Sequence, residues 1–94
     1  MDNNFEILLL GKEINKGGLN LYRYSDALLL IDLCNKNGVR VLGIDGFDIS
    51  DGYTHPLMEH SVDFSTIELA NSNEAAYNFL VSRKKLDLVY EIIY

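Results

Sequence analysis

The chain has 94 residues, of which 48% are apolar and 23% charged, and its net charge at pH 7 is −6. This composition is typical of a globular protein and argues against a disordered adaptor. The negative charge argues against nucleic acid and anionic membranes as partners, because both require basic surfaces. A basic protein is the partner that this negative charge favours.

The length predicts one domain over residues 1–94, because a chain of this size buries roughly 60 to 65% of its extended surface in a single core. Cys34 is the only cysteine, so an internal disulfide is impossible. The chain opens with no signal-like segment, and no apolar run approaches the roughly 20 residues that span a bilayer. We therefore expect a cytoplasmic protein whose fold needs neither a disulfide nor a metal.

The N-terminal quarter gives weak local signals. Asn3–Leu10 is an apolar run that fits a buried strand or two helical turns, and we favour a short helix. Glycines at 11, 17 and 18 interrupt this pattern. Leu19–Tyr24 is then interpreted as a crossing loop that places some of its apolar side chains on the core.

The clearest predicted element is a helix over 25–37. Ser25 is a good N-cap, and Asn37-Gly38 is a typical helix stop. The helical spacing of apolar residues predicts one buried face, made of Ala27, Leu30, Ile31 and Cys34. Cys34 is accordingly predicted to be a small buried hydrophobe and not a nucleophile.

The middle of the chain predicts two strands, over 39–49 and 60–64, which could form a hairpin with an irregular tip. In a strand, Asp45 would interrupt an apolar face. Gly43 and Gly46 flank Ile44-Asp45 and indicate a bulge that redirects the carboxylate. Alternatively, Asp45 accepts hydrogen bonds from nearby backbone N–H groups in an Asx-turn.

The C-terminal third predicts a helix over 73–85 and, from alternating apolar residues, a strand over 86–93. One long helix is the alternative, because no Gly or Pro follows Lys85. A capping-box pattern at Ser65–Glu68 would start the helix earlier, but the start near Asn73 is preferred. Arg83-Lys84-Lys85 then occupy the last turn, where cations suit the helix dipole. The predicted fold class is α+β: a small, mainly antiparallel sheet of three to four strands packed against two to three helices.

The segment Val41–Ser82 contains no Lys or Arg, both histidines, and seven carboxylates: Asp45, Asp48, Asp51, Glu59, Asp63, Glu68 and Glu74. The acid spacing does not match an EF-hand, because a frame from Asp48 puts Gly52 at position five. His55 and His60 do not form HExxH, and no GxSxG motif is present. We therefore predict no metal site, no cofactor, no catalytic residue and no enzymatic activity.

Four short motifs resemble a family of bacterial proteins: L-x-x-G-x-E-I at Leu8–Ile14, GGLN at Gly17–Asn20, SDAL at Ser25–Leu28 and VLGIDGF at Val41–Phe47. Their order is similar to that in immunity proteins of polymorphic-toxin and contact-dependent growth inhibition systems, in particular the numbered immunity family forty. The resemblance implies a small, acidic, cytoplasmic toxin inhibitor. Such proteins bind the C-terminal domain of one cognate toxin, often a basic nuclease.

The charge pattern and the resemblance together predict a contact surface in the Asp45–Asp63 segment. Carboxylates on loops can meet the Lys and Arg of a nuclease, and aromatic side chains can anchor the contact. The predicted contact residues are Asp45, Phe47, Asp48, Asp51, Tyr53, His55, Glu59 and Asp63. The competing function is a small ligand-binding or hydrolytic enzyme that uses the same acidic and histidine side chains.

Overall fold

The computed structural model describes residues 11, 13–16, 18–50, 52–66 and 69–94. Within these ranges, five strands and two helices follow in chain order: β1 Ile14–Lys16, β2 Leu19–Arg23, α1 Tyr24–Lys36, β3 Gly43–Ser50, β4 Tyr53–Asp63, α2 Leu69–Val81 and β5 Val89–Ile93. The strands form one antiparallel sheet in the order β1-β2-β5-β3-β4. The predicted α+β class is confirmed, with one strand more than expected.

The core lies between the helices and one face of the sheet. The predicted face of α1 is buried, and Cys34 on it is fully enclosed. Ala76 and Leu80 of α2 and Ile44, Tyr90 and Ile92 of the sheet complete the same apolar cluster. We call the sheet face that meets this cluster the helix side, and the opposite face the second side.

The strand register assigns residues to the two sides. Ile44 pairs with Ile92 and Gly46 with Tyr90, and these rows belong to the helix side. The intervening rows, Gly43–Ile93, Asp45–Glu91 and Phe47–Val89, therefore lie on the second side, because side chains alternate along a strand. Tyr22 pairs with Tyr90 and therefore lies on the helix side. Its neighbour Leu21 lies on the second side, because side chains alternate along the strand.

Helix α1 begins one residue before its predicted start, with Arg23 at the N-cap. Ser25 is therefore inside the helix, and the prediction that it caps the helix is wrong. The predicted stop is confirmed: the Asn37 side chain donates a hydrogen bond to the Leu33 carbonyl (2.8 Å), and Gly38 has φ of 69°. Glycine tolerates this left-handed conformation without a steric penalty.

The segment Leu19–Tyr24, predicted to be a loop, is mostly strand. β2 forms a hairpin with β1 and also pairs with β5 through Tyr22–Tyr90 and Arg23–Val89. Leu19, Leu21 and Arg23 alternate with Asn20 and Tyr22, but five residues beside two glycines gave too short a pattern to outweigh the turn signal. The helix predicted for Asn3–Leu10 lies outside the described residues.

Helix α2 begins at Leu69, four residues before the predicted start. Ser72 and Asn73, which are typical cap residues, are buried within the helix and bind the chain that leads into β3. The Ser72 hydroxyl donates to the Val41 carbonyl. The Asn73 amide oxygen accepts from the Val41 N–H (2.8 Å), and its NH₂ group donates to the Val39 carbonyl (2.9 Å). Residues 39–42, predicted to be strand, therefore form a connecting segment whose backbone at Val39 and Val41 is hydrogen-bonded to side chains of α2.

Candidate functional site

The hairpin of β3 and β4 contains most of the predicted contact residues, and β4 forms one edge of the sheet. Its register is irregular: Ile44 pairs with Val62, whereas Gly46 pairs with Leu57. Residues 58–61 of β4 therefore face the single residue Asp45 of β3. The bulge expected near Asp45 is present, but the extra residues belong to the partner strand.

Small groups on β3 and β4 close this bulge. The Gly46 N–H donates to the Ser61 hydroxyl oxygen (3.3 Å), and that hydroxyl donates to the Leu57 carbonyl (2.9 Å). A Cβ on Gly46 would lie 2.6 Å from the His60 carbonyl oxygen. A side chain at 46 would therefore force the backbone of the bulge to move, because that backbone crosses β3 closely at this point.

Arg83, just after α2, holds the bulge from the helix side. Its Nε donates to His60 Nδ1 (3.0 Å), and one terminal nitrogen donates to the Glu59 carbonyl (3.2 Å). The guanidinium also stacks on Phe79, 3.7 Å from the ring centroid. His60 Nδ1 accepts this hydrogen bond, so the tautomer that fits the contact has its ring hydrogen on Nε2. The prediction that Arg83-Lys84-Lys85 form the last turn of the helix is wrong, because α2 ends at Val81, and Arg83 instead holds the bulge.

Replacing Arg83 with alanine should destabilise the bulge selectively. We expect the free energy of unfolding to fall by about 1 to 3 kcal/mol, because charged hydrogen bonds and ring packing are lost. Amide hydrogen exchange at Glu59, His60 and Ser61 should accelerate more than exchange in α1. Arg83→Lys should restore little, because an ammonium lacks the planar fork, and the exposed neighbour Lys84→Ala is the control. Uniform acceleration throughout the protein would contradict a local role.

The second side carries a groove of about 600 Å³ beside the bulge. Residues from β3, β4, β5 and their flanking loops line it: Leu42, Gly43, Asp45, Met58, Ser61, Val62, Asp63, Ser65 and Ile93. Met58 is 85% exposed, and Leu42 and Ile93 are also exposed. Among the described residues, the lining therefore combines apolar surface with two carboxylates and includes no Lys, Arg or His.

A third carboxylate, Glu91, lies directly across from Asp45 on β5. Burial raises the pKa of Glu91, and the neighbouring Asp45 carboxylate raises it further. The pKa of Asp63 is lowered, first by the hydrogen bond from the Ser65 backbone N–H (2.8 Å) and then by one from the Ser65 hydroxyl. Asp63 is thus held ionised, whereas Glu91 binds a proton more readily than an ordinary glutamate.

The structure places the exposed and half-buried predicted contact residues in three parts of the hairpin: the groove, the turn and the bulge. Asp45 and Asp63 lie at the groove on the second side. Asp48 and His55 form a cross-strand pair nearer the hairpin turn, and Tyr53, 71% exposed, adjoins that turn. Glu59 is exposed on the bulge. Asp51 lies outside the described residues.

Phe47, also predicted to be a contact residue, is only 7% exposed, so little of its ring is available to a partner. Phe47 and the fully buried Leu21 both belong to the second side, apart from the helix-side cluster. Met58 was missed in the sequence, and Glu91 was not among the predicted contact residues. Met58 lies in the non-alternating bulge, and the position of Glu91 depends on which strands flank β5.

Among the described residues, no three His, Cys, Asp or Glu side chains converge in a way that could hold a metal ion. Neither described helix is long and apolar enough to cross a membrane. The sequence matches no model of a known protein family, and a search of curated proteins finds no match.

The second side presents an acidic groove with an apolar wall, formed by the lining residues and by Glu91 across from Asp45. Such a groove suits a ligand that is both cationic and partly apolar.

Proposed function

We propose that this chain is an immunity protein that binds and neutralises a cognate toxin domain, a basic nuclease, in the cytoplasm. One observation carries the proposal: Asp45, Asp48, Glu59 and Asp63 all belong to one hairpin, β3–β4, whose sequence contains no Lys or Arg. Arg83, the cation that reaches the bulge, bonds to His60 and to the Glu59 backbone, so it leaves these carboxylates unneutralised.

Exposed side chains on the same hairpin support a protein partner over a small solute. Met58 and Tyr53 are 85% and 71% exposed. Flexible methionines and tyrosines supply much of the contact area at protein interfaces, where acidic groups around them provide charge complementarity and faster association. A basic nuclease presents the Lys and Arg that such a surface accepts.

The test is growth protection. The toxin C-terminal domain encoded beside this gene is expressed from an inducible promoter, with and without this chain, and complex formation is measured by co-purification. We expect growth to be restored and a stable complex to form. Wild-type chain that neither protects nor co-purifies, or a gene neighbourhood of metabolic enzymes without a toxin, would overturn the proposal.

Substitution of the acids should separate binding from stability. We expect Asp48→Ala and Glu59→Ala to slow association with the toxin domain and to weaken its dependence on salt, because charges that solvent reaches act mainly on the encounter rate. Glu59 is exposed and Asp48 is half-buried. The free energy of unfolding should change by less than about 0.5 kcal/mol. Stopped-flow association at two salt concentrations and thermal unfolding measure the two effects.

Asp32→Ala and Glu74→Ala are the matched controls, because they remove the same charge from the helix layer on the other side of the sheet. They should leave the association rate nearly unchanged. Equal slowing by all four variants would mean that net charge alone, and not the hairpin, steers the encounter.

The second candidate function is hydrolysis by paired carboxylates. The observation in its favour is Asp45 beside Glu91, with the pKa of Glu91 raised, an arrangement that acid–base catalysis also uses. The exposed apolar wall of the groove favours the protein partner. Turnover of glycoside or phosphoester substrates that is abolished by Glu91→Gln would reverse this preference.

A further inference from the structure

Building on the proposed function, we infer that the groove beside Asp45 and Glu91 binds one arginine side chain of the basic partner. The guanidinium would lie between the two carboxylates, and its aliphatic stem would lie along Met58 and Ile93. In the free protein, the pairing of Asp45 with Glu91 is unfavourable, and a bound arginine would relieve it.

The unfavourable feature is the pairing itself. Asp45 and Glu91 are Cα partners on adjacent strands, and like charges placed directly opposite destabilise a sheet. In such pairs the Cβ atoms lie about 4.5 to 5.5 Å apart, which allows one cation to contact both carboxylates. Burial, and after it the Asp45 carboxylate, raise the pKa of Glu91, which is the direction that like-charge repulsion in this pair gives.

The groove supplies the remaining complementarity. Its exposed apolar residues, Leu42, Met58 and Ile93, can cover a three-carbon stem, and Asp63 adds a charge that its bonds from Ser65 keep ionised. In the part of the chain that the structure describes, no Lys or Arg lines the groove to compete. Arginine fits better than lysine, because its planar fork of five N–H donors can serve two carboxylates at once.

The first test needs no partner. Asp45→Asn and Glu91→Gln should each raise the melting temperature at pH 7 by roughly 1 to 8 °C, because each removes the like-charge pair. The gain for Glu91→Gln should shrink as pH falls through the raised pKa of Glu91. The sign follows from linkage: folding favours protonation of Glu91, so the wild type gains stability as this group protonates, and the neutral variant does not. Melting temperatures that stay the same or fall in both variants would contradict the like-charge pair.

The second test uses a probe peptide, acetyl-Gly-Arg-Gly-amide, titrated into the ¹⁵N-labelled protein. Amide shifts should concentrate at Gly43, Asp45, Glu91 and Ile93, and should be absent with the citrulline analogue, which has the same shape without the charge. The double variant Asp45→Asn/Glu91→Gln should lose them, whereas Asp32→Asn/Glu74→Gln should keep them. No shifts, shifts elsewhere, or shifts that persist in the Asp45/Glu91 double variant would overturn the inference.

Measurement with the toxin domain separates this inference from the proposed function. The Asp45/Glu91 double variant should bind the toxin domain about tenfold or more weakly, while the Asp32/Glu74 control binds as the wild type does. If the wild type protects cells and the Asp45/Glu91 variant protects and binds equally well, the arginine site is wrong and the immunity function stands. If the wild type does not bind the toxin domain, the function fails whatever the peptide shows.

Discussion

Asn73→Ala is expected to lower the free energy of unfolding by about 2 to 4 kcal/mol, because the buried Val41 N–H and the partly buried Val39 carbonyl lose their hydrogen bonds at once. The side chain is 3% exposed and bonds to both the Val41 N–H and the Val39 carbonyl. Each backbone group left without a partner in a buried place costs about 1 to 3 kcal/mol. The total is a large share of the roughly 5 to 15 kcal/mol that stabilises a typical domain.

Chemical denaturation measures this loss, and Asn78→Ala is its matched control. Asn78 lies in the same helix but is exposed, so alanine there should be neutral or slightly stabilising through its higher helix propensity. Ser72→Ala should cost less than Asn73→Ala, since it removes one bond, to the Val41 carbonyl. If Asn73→Ala unfolds at the same denaturant concentration as Asn78→Ala, the connection to residues 39–42 is not stabilising.

Gly46→Ala is expected to cost about 1 to 3 kcal/mol and to disturb the groove as well. The new Cβ would approach the His60 carbonyl oxygen to 2.6 Å and the His60 Cβ to 2.9 Å. Both contacts involve the backbone or its first side-chain atom, so relief requires the bulge to move and not merely a side chain to rotate. Because Met58 lies on that bulge, binding of the arginine peptide should weaken along with stability.

Gly43→Ala on the same strand is the comparison for this effect. Its Cβ would meet the Val62 carbonyl oxygen at 3.0 Å and the Ile93 side chain at 3.6 Å, a milder conflict. Alanine also costs less chain entropy than glycine in a strand, by about 0.5 to 1 kcal/mol, which offsets part of the conflict. The melting temperature of Gly46→Ala should therefore be well below that of Gly43→Ala. The reverse order would show that the bulge can shift to accept a Cβ at 46 with little loss of stability.

The parts of the fold that could be predicted from sequence are those with long periodic patterns. The spacing of Ala27, Leu30, Ile31 and Cys34 placed α1 to within one residue, and the alternation before Tyr94 indicated β5. The start of α2 was misplaced because Ser72 and Asn73 resemble cap residues. Their hydrogen bonds are instead satisfied by backbone groups more than thirty residues away, which no local pattern encodes.

The charge of the candidate site and the irregularity of its strands could be predicted, but the residues that meet there could not. The absence of Lys and Arg around Asp45 is visible in the sequence, and the flanking glycines correctly indicated an irregularity there. That Glu91 lies opposite Asp45 could not be predicted, because it depends on β5 entering the sheet between β2 and β3. Strand order is set by tertiary packing, whereas periodicity reports only which side of a strand is buried.

The central position of β5 also bears on how the protein is made. As the chain leaves the ribosome, the hairpins β1–β2 and β3–β4 are synthesised before the strand that joins them. Until Tyr90 can pair with Tyr22 and Gly46, the nascent chain exposes the backbone edges of β2 and β3, which can pair wrongly with other chains. These distant pairings also make the last step of folding slow relative to hairpin formation. Rapid overexpression raises the concentration of incomplete chains. It should therefore favour aggregation of the nascent protein even where the completed fold is stable.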